Sequence, residues 1–267
     1  MDLSAIFTPE NDERPLSDIK EGGGFTGIFR TIAVVGDSLA AGDLESIDIG
    51  GPKEFHDFFD ISWGSYIARM CGVTVHNFSR GAMTAREYCN SFADEKGYWD
   101  KSLAAQAYVL ALGCNDLDEA RQPVGNIGDI DPDHHRNAPT FAGDFGKIIQ
   151  RYKEISPDAV FFLVTMPREP FELLAEEFQV KHESHRALMY DLAAHFTNTF
   201  VIDLAEYGPV HDKEFHRRFY TGGHLNAAGY LLTAKLIASY IDHIVRHNIE
   251  FFNRSGLIGP QPIYPKG

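Results

Sequence analysis

The sequence predicts a doubly wound α/β fold built on a parallel sheet, and two observations carry this. Five short apolar runs recur along the chain, at residues 32–35, 73–78, 108–112, 160–164 and 200–202. Several are nearly continuous in Val, Ile, Leu and Phe, as strands buried on both faces are. Amphipathic stretches alternate with them, and strands alternating with helices pack as a sheet with helices on its faces.

Residues 1–30 are polar, acidic and Gly-rich, and read as an irregular arm that Phe25, Ile28 and Phe29 hold against the domain surface. The first strand follows at 32–35. The segment 43–61, rich in Gly, Asp and Phe, reads as a long loop, and residues 63–70 as a helix. After the strand at 108–112, residues 117–140 form a second long loop. A helix over 141–155 ends at Ser156-Pro157. Residues 171–196 carry a long polar helix, with a charged solvated face at 172–183. The last helix spans 226–247, with apolar residues at 230, 234, 237, 241 and 244 and Asn226 as its cap. No repeat or linker divides the chain, so 1–267 reads as one domain, with residues 248–267 as a C-terminal extension.

Composition excludes several function classes. The 267 residues include 24 basic and 38 acidic side chains, a net charge of −14. Nucleic acid and anionic lipid surfaces repel such a chain. No run of about 18 apolar residues predicts a membrane span, and the N-terminus lacks the pattern of a secretory signal. The three cysteines, Cys71, Cys89 and Cys114, have no paired spacing and read as small buried apolar residues. A reducing cytoplasm is the expected compartment.

In a doubly wound sheet, ligands bind beyond the carboxyl ends of the strands. Gly36-Asp37-Ser38-Leu39 follows the first strand and places a hydroxyl on that rim. Gly81, in the turn after the second strand, offers a bare backbone N–H. Gly113-Cys114-Asn115-Asp116 follows the third strand, where an Asn amide can face a developing oxyanion. His224 lies in a Gly-rich loop just before the last helix. Each of these alone is as well explained by a turn, a cap or a structural histidine. Their joint order, Ser, Gly, Asn, His on one rim, is far more specific.

Through these residues the chain resembles the SGNH, or GDSL-type, hydrolases over roughly residues 31–246. The resemblance implies a flavodoxin-like three-layer α/β/α sandwich with a five-stranded parallel sheet. It implies a carboxylic ester hydrolase with Ser38 as nucleophile and His224 as general base. The Ser38 and Gly81 N–H groups and the Asn115 amide would form the oxyanion hole. No cofactor or metal is expected. The substrate would be a small-molecule or glycan ester with a small acyl group such as acetyl. A longer-chain lipase or thioesterase and a silent binding module are the alternatives.

The family usually carries an Asp three residues before the His, and here that position is Thr221. Three replacements compete to orient His224: a backbone carbonyl within 220–223, the carboxylate of Asp212 or Glu214, and the Thr221 hydroxyl. Asp37 and Arg168 are candidate substrate contacts, with an ion pair to Glu169 as the competing role for Arg168. Phe55, Phe58, Phe59 and Trp63 are candidates for an aromatic wall. The run Asp129-Ile130-Asp131-Pro132-Asp133-His134-His135 reads as a solvated loop, since its spacing fits no closed zinc site. Oligomeric state is not legible, although the N-terminal arm and residues 251–264 offer apolar groups to a second subunit.

Overall fold

The computed structural model describes residues 12–47, 51–170, 174–253 and 255. The rest of the C-terminal extension, the first eleven residues and the start of the expected helix at 171–196 lie outside the described residues. The central sheet contains β1 (Thr31–Gly36), β4 (Thr74–Asn77), β5 (Ala107–Ala111), β6 (Val160–Val164) and β7 (Thr199–Ile202), in the spatial order β4-β1-β5-β6-β7, all parallel. That is the flavodoxin order, with its switch point between β1 and β5. All five apolar runs became its strands.

Alternation along the strands divides the core in two. Ala33, Val35, Tyr108, Leu110, Phe161 and Leu163 face one way, under α3 (Phe141–Ile155) and α4 (Glu176–His195). Ile32, Val34, Ala107, Val109, Phe162 and Val164 face the other, under α2 (Trp63–Cys71) and α6 (Ala227–His247). The result is a three-layer α/β/α sandwich. Phe162 is fully buried between Phe29 and Phe200, with ring centroids 5.8 Å and 6.1 Å away. Truncating such a side chain to Ala costs about 3–5 kcal/mol.

The helices start where local chemistry dictates. Side-chain oxygens of Ser62, Thr140 and Asn226 accept N–H groups from the first turns of α2, α3 and α6. Each such cap is worth about 1 kcal/mol. The N-terminal arm lies along α6: Lys20 N–H donates to Ser239 Oγ at 2.8 Å, and the Thr26 hydroxyl donates to the Ala238 carbonyl at 2.7 Å.

One expected loop is not a loop. β2 (Asp43–Ile47) and β3 (Lys53–Asp57) pair as an antiparallel two-stranded sheet, separate from the main sheet, with residues 48–50 outside the described residues. Its alternation is inverted relative to an ordinary surface hairpin, because the buried positions of β2 are the acidic residues Asp43 and Glu45. Hydrophobic periodicity cannot detect such a strand. Among the described residues, no helix is long and apolar enough to cross a membrane.

Candidate active site

Ser38 opens the single helical turn α1 (Ser38–Ala41) directly after β1. Asp37 caps that turn, its Oδ1 accepting the Leu39 N–H at 3.0 Å. The Asp37 carboxyl is pushed up to about 6 by burial, against the opposing pull of the Leu39 N–H and of His224.

Hydrogen bonds tie the next two strand ends to the first. Arg80 N–H donates to the Gly36 carbonyl at 3.3 Å, which fixes Gly81 beside the end of β1. Asn115 Nδ2 donates to the Met83 carbonyl at 3.2 Å, and Asp116 Oδ1 accepts the Ala85 N–H at 2.8 Å. The segments holding Ser38, Gly81 and Asn115 are therefore laced together at the carboxyl edge of the sheet. A side chain at position 81 would displace the Asp43 carboxylate: an added Cβ would lie 2.6 Å from its Oδ2. The Asp43 carboxyl is itself raised, chiefly by burial and then by the nearby Asp57, with His224 opposing.

His224 lies in a short ladder of β8 (Tyr220–Thr221) and β9 (His224–Leu225) just before α6. The Tyr230 hydroxyl on α6 donates to the Asp43 carbonyl at 2.7 Å and reaches the Ser38 carbonyl at 3.4 Å, joining this region to the serine turn. The edge of the Phe55 ring meets the imidazole at 5.7 Å.

The partner of His224 corrects the expectation. His224 Nδ1 lies 2.6 Å from Oε1 of Glu45, a carboxylate on β2. Gly223 N–H donates to the same oxygen at 2.9 Å, and Lys53 Nζ lies 2.6 Å from Oε2. Burial pushes the Glu45 carboxyl up, but the bonds from Lys53, His224 and Gly223 outweigh it, and the net position is below the usual glutamate range. The approach depends on Gly222: a Cβ there would lie 1.8 Å from Glu45 Oε2, and its φ of 68° suits glycine.

None of the groups expected to orient His224 meets its Nδ1. Asp212 caps α5 (Lys213–Phe219) by accepting the Phe215 N–H at 2.8 Å. Glu214 is held on the surface by Arg217 and Arg218. Thr221 is exposed and pairs with His224 only as a backbone neighbour in the ladder. No carbonyl within 220–223 takes Nδ1, because Glu45 already does. Glu45 was missed because it precedes His224 by 179 residues and lies in an apparent loop. The signal that could have found it is the Gly222-Gly223 pair, which leaves room for a side chain arriving from elsewhere.

A cavity of about 80 Å³ opens beside the serine turn, walled by Leu39, Trp63, Met166, Leu204 and Ile237 among others. Asp37 and Arg168 both line it. Arg168 does not pair with Glu169; its guanidinium reaches the Glu206 carbonyl at 3.4 Å. The aromatic wall is partial. Trp63 is buried in the core, whereas Phe55 and Phe58 are exposed. In the run 129–135, Asp129 closes a capping box with Asn126, and Asp131 pairs with Arg136. All three cysteines are free.

A parallel α/β/α sandwich with Ser, Gly, Asn and His on one rim defines a class of serine-dependent ester hydrolases. The sequence matches the GDSL-like Lipase/Acylhydrolase family over residues 34–232, and the chain belongs to that family. It is accordingly a carboxylic ester hydrolase. No curated protein matches it. Solved structures share the fold at low identity. A family 2 carbohydrate esterase with a carbohydrate-binding domain from Corynascus thermopiles (Myceliophthora fergusii) is 17% identical, with a TM-score of 0.57 over 87% of this chain and 69% of that one. A family two carbohydrate esterase from Clostridium thermocellum, in complex with cellohexaose, is 15% identical, with a TM-score of 0.55 over 90% and 66%. A protein from Lactobacillus plantarum is 15% identical, with a TM-score of 0.57 over 80% and 97%.

Proposed function

We propose that the protein hydrolyses short-chain esters, with acetylated carbohydrate as the favoured substrate class, through an acyl-enzyme on Ser38. The observation that carries this reading is the 2.6 Å contact between His224 Nδ1 and Glu45. A serine hydroxyl is a weak nucleophile until a base takes its proton, and the base needs a fixed tautomer. An ionised Glu45 accepts Nδ1–H and leaves Nε2 as the proton acceptor. It also stabilises the imidazolium that forms.

His224 takes the Ser38 proton as Oγ attacks the ester carbonyl carbon. The oxyanion is held by the Ser38 and Gly81 N–H groups and by Asn115 Nδ2, which carries two hydrogens and spends one on Met83. Collapse of this intermediate breaks the ester bond, and the alcohol leaves with the proton from His224. Water then repeats the sequence on the acyl-enzyme.

Ser38, Gly81, Asn115 and His224 do not line the cavity of about 80 Å³, so the short-chain assignment rests on the carbohydrate esterases among the structural neighbours. The sugar assignment is supported by the exposed rings of Phe55 and Phe58 beside the site and by the two carbohydrate esterases among the structural neighbours. A series of p-nitrophenyl esters tests chain length: acetate and butyrate should be the best substrates, and a preference for eight or more carbons would overturn the reading. Release of acetate from acetylated oligosaccharides tests the alcohol side, where no turnover above that of simple alkyl acetates counts against a sugar.

A further inference from the structure

The carboxyl end of α6 carries a second cluster of chemistry that the ester-hydrolysing site does not use. His243 and His247 are one turn apart on the helix, so their rings share a face, with centroids 3.8 Å apart. Glu13 of the N-terminal arm lies opposite. Its Oε1 is 3.9 Å from His243 Nδ1, and its Oε2 is 3.8 Å from His247 Nε2. The three ligand atoms fall within 4.8 Å of one another. These separations are too long for hydrogen bonds. Two ligands on one tetrahedral ion at about 2.05 Å are about 3.3 Å apart, so contractions of at most about 1.5 Å would bring the set onto a common ion.

The geometry points to a divalent metal site, of the zinc class, formed by Glu13, His243 and His247. Two imidazole nitrogens and one carboxylate oxygen are the donor set that borderline ions of this class take, with water completing the shell. His243 Nδ1 is buried without a hydrogen-bond partner, as a lone pair awaiting an ion would be. His247 Nδ1 lies 2.7 Å from the His243 carbonyl. Donating its hydrogen there leaves Nε2 unprotonated and directed at Glu13, which is how outer partners orient metal-binding histidines.

Among the described residues, Arg246 is the competitor for Glu13. Its guanidinium bonds both carboxylate oxygens at 2.6 Å and 2.9 Å, and its Nε bonds Asp242 at 2.8 Å. Each carboxylate oxygen has a second lone pair, so Arg246 can stay and orient the carboxylate while an ion takes the remaining lone pair. Glu13, Asp242 and Arg246 together carry one net negative charge, which favours a divalent cation. An ion here would fasten the N-terminal arm to the last helix. Over the 21 residues of α6 it lies about 30 Å from the helix end nearest His224.

The test uses the full-length chain, stripped of metal, titrated calorimetrically with zinc chloride and followed by thermal unfolding. The parent should bind one equivalent, and Tm should rise by about 5 °C at a free concentration of about 100 times Kd. His247→Ala and Glu13→Gln, both at accessible side chains, should each weaken binding by about 100-fold and abolish the Tm rise. Absence of a stoichiometric ion in the parent would overturn the proposal. So would binding that both variants retain at parental affinity, which would place the ion elsewhere, for example at His134 and His135.

Discussion

Two segments border His224, and they use their carboxylates in opposite ways. The segment before the histidine contains Asp212 and Glu214, close in sequence and well placed to fold back. Asp212 is consumed as a helix cap and Glu214 by two surface arginines. The hairpin of β2 and β3 is remote in sequence, yet it buries Glu45 and aims it at Nδ1. Nearness along the chain therefore says little about which carboxylate serves the imidazole. What decides is which carboxylate keeps an oxygen free of local partners and has a gap to enter: Lys53 takes Oε2 of Glu45, and Gly222-Gly223 provide the gap through which Oε1 reaches the imidazole.

The largest effect should come from Ser38, the proposed nucleophile. Ser38→Ala should lower kcat on p-nitrophenyl acetate by about 10⁴-fold or more and abolish labelling by a fluorophosphonate. Labelling that survives the substitution would show that another residue reacts. Asn115→Ala removes one oxyanion donor and should lower kcat by about 10²–10³-fold with little change in KM. A change confined to KM would place Asn115 in substrate binding instead.

Asp116, next to Asn115, should reveal itself through pH rather than rate. Burial pushes its carboxyl up to about 7, against the Ala85 N–H and with help from Asp144 and Asp37. An unfolded chain releases this proton near 3.9. Between about 4 and 7 the folded state holds more protons, so this group's contribution to stability falls as pH rises through that window. The Tm of Asp116→Asn minus that of the parent should therefore climb by several degrees between pH 4 and pH 8. A difference independent of pH contradicts the assignment.

Lys53 sharpens the comparison at smaller scale. It helps hold Glu45 below the usual range, so Lys53→Met should raise the Glu45 carboxyl. Protonated glutamate no longer serves the imidazole, so the acid limb of kcat should move to higher pH, with a loss of only a few-fold at pH 7. An unmoved acid limb would mean that Lys53 is a bystander.

The same contrast explains what the sequence could and could not convey. The five strands and the helices α2, α3 and α6 were legible because continuous apolar runs and 3.6-residue periodicity have no other stable solution than burial. Ser38, Gly81, Asn115 and His224 could be proposed as a set because each borders a recognisable strand or helix. Glu45 could not, since β2 buries the acidic residues Asp43 and Glu45, and because the contact joins residues 179 apart. The cluster of Glu13, His243 and His247 was hidden for the same reason: the two histidines read as an ordinary helix end until the arm is laid against them.

The central claim is that Glu45, rather than a neighbour in sequence, orients the base. The direct measurement is kcat on p-nitrophenyl acetate at pH 7 for Glu45→Gln beside Asp212→Asn. The account predicts a loss of about 10²–10⁴-fold for the first and a change within about threefold for the second. Parental turnover in Glu45→Gln, or a collapse confined to Asp212→Asn, would contradict it.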